Sequence, residues 1–138
     1  MDAGDLLEKL QRPRSPNSWL VAPSGFRLQP DAIAPVFDVP APVLRDAFRA
    51  AVRRSAGAEV VDESSRGIHV VATTRLMRFE DDVWALFIPV SEERATLAVY
   101  SASRVGRWDF GTNRRRVTRW IGQLEDSIRT LQRDTSAI

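Results

Sequence analysis

Between residues 58 and 103 the chain alternates strand-like stretches with links of only three to five residues, and those links dictate the topology. Residues 58–62 precede the turn Glu63-Ser64-Ser65-Arg66-Gly67, and the β-branched stretch 68–79 contains neither Pro nor Gly. Glu80-Asp81-Asp82 reads as a second turn before 83–90, and 91–94 as a third before 95–103. Links this short join antiparallel neighbours, whereas a parallel pair needs a crossover of roughly a dozen residues. Helical patterns flank the strands. In residues 42–55, Val43, Leu44, Ala47, Phe48, Ala51 and Val52 recur at helical spacing, with Arg45, Asp46, Arg49, Arg53 and Arg54 opposite. Pro42 suits the first turn of this helix and Gly57 its C-terminal cap. From about 112 to 133, Val117, Trp120, Ile121, Leu124, Ile128 and Leu131 form a second apolar stripe. The pattern predicts an α+β fold: a four-stranded antiparallel sheet with two helices on one face.

Residues 5–10 offer one short helical turn, and beyond it stand Pro13, Pro16, Pro23, Pro30, Pro35, Pro40 and Pro42. So many fixed φ angles and missing donors predict no regular helix or central strand there. Trp19, Leu20, Val21, Phe26, Ile33, Val36 and Phe37 lie among the prolines, too much apolar material for a disordered tail. Residues 1–39 therefore read as an extended strap packed on an α+β unit at 40–138, a single domain in 138 residues.

Composition removes whole classes of chemistry. Without cysteine there is no disulfide scaffold, thiolate zinc site, iron–sulfur cluster or cysteine nucleophile, and one histidine, His69, makes no multi-histidine metal centre. The expectation is no metal and no cofactor. No apolar run reaches the roughly 18 residues of a membrane span, and the acidic start Met1-Asp2-Ala3-Gly4-Asp5 is unlike a signal peptide. A cytoplasmic location is expected. The isoelectric point near 9.9 exaggerates the positive field, because the net charge is only +2 and Lys9 is the sole lysine. Along the chain, residues 1–40, 41–79, 80–110 and 111–138 carry −1, +3, −3 and +3. Alternating blocks suggest internal pairing rather than a nucleic-acid footprint.

The most informative segment runs from Ser101 through Arg104-Val105-Gly106-Arg107-Trp108-Asp109-Phe110-Gly111 to Arg116. It leaves a strand and enters a helix whose first turn holds Arg114, Arg115 and Arg116. Cations at a helix N-terminus oppose the dipole by about 0.3–1 kcal/mol each. Something negative must compensate them. One reading is an external anion, a small ligand or a lipid headgroup, held by Arg104, Asn113, Arg114 and Arg116 with Trp108 beside them. An exposed Trp108 would suit peripheral membrane contact, although the favoured reading is that it plugs a gap between the strap and the last helix. The other reading is an internal lock, with Arg104 and its neighbours tied to Asp109, Glu80, Asp81 and Asp82. Gly106 and Gly111 have phosphate-loop spacing, but Thr112-Asn113 replaces the required Lys and Ser or Thr.

This segment resembles the signature of the family called Domain of Unknown Function 1499. Its Ser-x-Ser-Arg-x-Gly and Asp-x-Gly-x-Asn-Arg-x-Arg patterns are matched by Ser101, Ser103, Arg104, Gly106, Asp109, Gly111, Asn113, Arg114 and Arg116. Ser15-Pro16-Asn17 with Leu20-Val21-Ala22-Pro23 is similar to the family's opening motif, and Phe79-Glu80-Asp81-Asp82 to its Phe-x-Asp pattern. The likeness spans roughly residues 13–124. It implies relatives of which many look membrane-anchored, and it supplies no catalytic residues.

Catalytic arrangements are weak by pattern. Ser101, Ser103, His69 and Asp82 could be drawn as a triad, but the serines lie in an alternating strand without a nucleophile elbow. Asp81 with Asp82, or Asp62 with Glu63, are adjacent carboxylates of the kind usually solvated or salt-bridged. Trp120 belongs to the helix stripe, and Trp84 should face away from Val83 and Ala85. The sequence thus favours a non-enzymatic binding module for a small anionic or lipid-like ligand or an acidic partner segment. The alternatives are a structural domain held by the arginine lock and an uncharacterised hydrolase.

Overall fold

Alternation along the two longest strands divides the molecule into layers. In the computed structural model, residues 3–10, 17–75, 78–104 and 111–136 are described. The elements run α1 (Ala3–Lys9), β1 (Ser18–Ala22), β2 (Ala32–Ile33), α2 (Ala41–Arg53), β3 (Ala58–Glu63), β4 (Gly67–Thr73), β5 (Glu80–Pro89), β6 (Ala95–Ser103) and α3 (Thr112–Ser136). Val83, Ala85 and Phe87 of β5 and Leu97 and Val99 of β6 face one way, into a core completed by Leu44 and Phe48 of α2 and Trp120 and Leu124 of α3. Phe48 sits at its centre, edge-on to Phe87 at 5.5 Å and to Trp120 at 5.8 Å. Full burial of such a side chain contributes roughly 1.5–3 kcal/mol. Leu86, Ala98 and Tyr100 face the other way and meet Leu7 of α1 and Leu20 and Ala22 of β1.

The sheet has six strands in the order β2-β1-β6-β5-β4-β3 and is mixed, not the four-stranded antiparallel sheet expected. The four expected strands are present as an antiparallel block, with β4, β5 and β6 in continuous register. The two additional strands come from the proline-rich segment. β1 pairs antiparallel with β6 inside the sheet, and β2 pairs parallel with β1. The prolines do not prevent this, because residues 17–22 form a window without any. Pro23 then ends the strand, and the short β2 leaves a donor that Asp31 satisfies by accepting Leu20 N–H at 2.8 Å.

Three helices replace the two expected. The third, α1, lies on the opposite face of the sheet, where Leu7 is fully buried. Arg27 donates to the carbonyls of Leu7 and Leu10 at 3.0 and 2.6 Å, securing the end of that helix. The 42–55 expectation corresponds to α2, which ends at Arg53 with Arg54 as its C-cap, so Gly57 falls in the following turn.

One boundary matters for the site. Glu80-Asp81-Asp82 are not the turn expected: β5 begins at Glu80, and Thr74 N–H donates to Phe79 O at 2.9 Å just before it. Hydrophilic residues in a row suggest a loop from sequence alone. Here each carboxylate has a partner, and the strand continues through them.

Candidate functional site

Because Glu80, Asp81 and Asp82 lie in a strand, the period of two sends neighbouring carboxylates to opposite faces. Asp81 shares the face of Val83 and points under α3, while Glu80 and Asp82 share the face of Trp84. The same parity holds across the sheet, where Asp81 opposes Ser103 and Asp82 opposes Ala102. Ser101 and Ser103 therefore face α3, and Arg104, next in line, faces Asp82.

On the helix side the network is buried. Asp81 is completely inaccessible, and Arg116 Nη2 lies 2.9 Å from its Oδ2. Arg116 Nη1 also donates to Asn113 Oδ1 at 2.9 Å and to Ser101 Oγ at 3.2 Å. Asn113 is itself fully buried: its Oδ1 accepts from Ser101 Oγ at 2.6 Å. Its Nδ2 donates to Asn17 O at 2.8 Å and to Ser103 Oγ at 3.3 Å. One amide thus joins α3, β6 and the residue preceding β1. Spacing explains why these two act together, since Asn113 and Arg116 are three apart on one helix face. Gly111 permits the entry: at φ +78° it takes a conformation that side chains disfavour, and its carbonyl accepts Arg115 N–H at 3.0 Å.

On the other side the pairing is more exposed. Arg104 donates to both oxygens of Asp82, at 2.9 and 3.1 Å, and also pairs with Glu80. His69 Nε2 lies 2.8 Å from Asp82 Oδ1, and the ring stacks on Trp84 at 5.1 Å. Burial pushes the Asp82 carboxyl pKa up, but the hydrogen bonds from Arg104 and His69 more than reverse this and hold it below the ordinary value. Arg104 is correspondingly raised by its bond to Asp82.

The candidate residues thus divide. Arg104 and Arg116 both engage strand carboxylates, on opposite faces of β5. Arg114 remains exposed and lies over the Trp19 ring, 5.0 Å from its centroid. Trp108 and Asp109 fall outside the described residues, so the Arg104–Asp109 pairing has no counterpart to report. Trp120 is buried, donating its indole N–H to Ser55 Oγ at 2.7 Å, and Trp84 does face away from Val83 and Ala85.

The catalytic arrangements do not assemble. Ser101 and Ser103 lie on the α3 face, and His69 and Asp82 lie on the other, so the sheet itself separates nucleophile from base. Asp81 and Asp82 are divided in the same way, and Glu63 instead meets Arg49, whose pKa that contact raises. Among the described residues, no group of three or more His, Asp or Glu is placed to hold a metal ion. Nor is any described helix long and apolar enough to cross a membrane.

The contributions that sequence reasoning missed are the Asn17 carbonyl and the two serine hydroxyls. A signal for the serines was available: two hydroxyls at alternate strand positions, followed by an amide and a guanidinium one helical turn apart. Asn17 stood in the opening motif Ser15-Pro16-Asn17, but nothing there pointed to its carbonyl as the partner of Asn113.

Fold and site together define an α+β chain in which Arg104 and Arg116 engage the successive carboxylates Asp82 and Asp81 of a single strand. Residues 10–124 match the family described as a protein of unknown function, DUF1499, and the chain belongs to that family. No curated protein matches it.

Proposed function

We propose that this chain is a non-catalytic structural module in which the arginine-rich segment acts as an internal lock. The observation that carries this reading is the buried contact between Arg116 and Asp81. A guanidinium with so little exposure, already engaged by a carboxylate, an amide oxygen and a hydroxyl, has little left to offer a ligand. Arg104 on the other face is likewise occupied. Asn113 spends both amide hydrogens and its oxygen inside the fold. Of the three arginines at the start of α3, Arg116 has its charge met from within, and this lock holds β5, β6 and α3 in fixed register.

Amide hydrogen exchange tests the reading. Replacing Arg116 by Met should raise exchange together at residues 80–83 of β5 and in the first turns of α3, because one contact secures both. Unchanged protection at both places would remove the lock.

A further inference from the structure

Beyond the lock, a cavity of about 270 Å³ opens beside the first two turns of α3, next to the loop that follows β4. Its lining includes Arg75, Arg115, Arg116 and Arg119, with Thr73 and Thr112, and no acidic side chain among the described residues. Arg116 is the lock residue, so its charge is met by Asp81. Arg75 and Arg119 differ: neither forms an ion pair with any described residue, although both are exposed around the same hollow. Two guanidinium groups on separate elements thus line one concavity without a carboxylate partner among the described residues, an arrangement suited to an anion. A wider cleft of about 590 Å³ shares Ala56, Ala58, Thr73, Thr74 and Arg75 with the hollow and adds Gly57, Arg78 and one acidic residue, Glu59.

We propose that this cavity is a binding site for the phosphate group of a small molecule, held by Arg75 and Arg119 with the Thr73 and Thr112 hydroxyls beside it. The volume fits the group. A phosphate presents several acceptor oxygens, and guanidinium forks match their geometry better than any other side chain. The wider cleft gives a substituent somewhere to lie, along the small residues Ala56, Gly57 and Ala58 with Glu59 and Arg78 for polar groups, which favours a phosphate monoester over the free ion. This site uses different residues from those that the sequence nominated. It stands apart from the structural reading, because neither Arg75 nor Arg119 takes part in the lock.

The test is titration of the whole chain, followed by amide chemical shifts, at constant ionic strength maintained with chloride. The probes are inorganic phosphate, glycerol 3-phosphate, and phosphatidylcholine vesicles with and without phosphatidic acid. Saturable shifts at Thr74, Arg75, Thr112 and Arg119 are expected with glycerol 3-phosphate, and weaker ones with phosphate. The double change Arg75→Gln and Arg119→Gln should weaken binding about tenfold or more, while Arg114→Gln, which alters the neighbouring guanidinium over Trp19, should leave it intact. Both arginines are exposed, so the double variant should melt no lower than the parent. Vesicle binding that needs phosphatidic acid and is lost in the double variant supports the site and identifies a lipid as the source of the phosphate. No saturable response to any phosphate probe overturns the proposal. So does a response that survives the double change or is abolished equally by Arg114→Gln.

Discussion

Removing Arg116 while leaving Asp81 in place exposes the energetic logic of the lock. Asp81 is wholly buried and Arg116 nearly so, with Nη2 and Oδ2 separated by 2.9 Å. Arg116→Met keeps a long flexible side chain but strands a carboxylate in the interior, and breaking a buried pair in this way costs about 3–5 kcal/mol. An unfolding entropy of roughly 2.1 cal/mol/K per residue over this chain gives about 0.3 kcal/mol/K, so each kcal/mol lowers Tm by about 3.4 °C. The expected loss is therefore about 10–17 °C. Adding Asp81→Val removes the orphaned charge and places a β-branched residue in the strand. Apolar replacement of both partners is often neutral, so the double variant should recover all but about 1–2 kcal/mol of the loss. Urea and thermal denaturation of the four proteins in this cycle, followed by circular dichroism, isolates the coupling. A single-variant cost under about 1 kcal/mol, or a double variant no more stable than Arg116→Met, refutes the reasoning.

Three further outcomes follow from the same geometry. Asn113→Ala takes the acceptor from the Ser101 hydroxyl, while the Asn17 carbonyl keeps the Ser103 N–H at 3.0 Å, and should cost about 1–3 kcal/mol, measured by urea denaturation. Asp82, whose pKa is lowered on folding, contributes stability that is complete above the unfolded carboxyl pKa, about 3.8, and disappears as pH falls through its lower folded value. Arg104→Gln should move the Asp82 carboxyl pKa upward in carbon-detected titration and shift acid unfolding to higher pH; an unmoved pKa contradicts the assigned pairing. Gly57→Ala places a Cβ 2.7 Å from the Thr73 carbonyl oxygen at a residue with φ +79°. Left-handed strain alone costs roughly 1–2 kcal/mol, and a thermal melt should show at least that.

Periodicity made most of this fold legible. The stripe on residues 42–55, the alternation of 95–103 and the brevity of the links led directly to α2, β6 and the antiparallel block. Proline counting misled, because what matters to a strand is the spacing between prolines, and Pro16 and Pro23 leave room for five paired residues. α1 was undervalued because a seven-residue helix has little intrinsic stability. It persists by placing Leu7 against a sheet face whose apolar residues come from distant parts of the chain. At the site, the charge clash at the start of α3 pointed to a nearby anion, and Asp81 lies against one of its three arginines, Arg116. The clash could not say which anion, since pairing Asp81 and Asp82 with different arginines depends on the strand continuing where a turn was expected. A one-residue offset in that boundary decides which carboxylate is buried.

The central claim, that Arg116 is held by Asp81 inside the fold, is tested most directly by nitrogen-15 spectroscopy of the arginine side chains. A fixed guanidinium should give separate, slowly exchanging Nη proton signals for Arg116, and these should collapse on Asp81→Asn while the exposed Arg53 is averaged throughout. An Arg116 signal averaged like that of Arg53 in the parent protein would contradict the account.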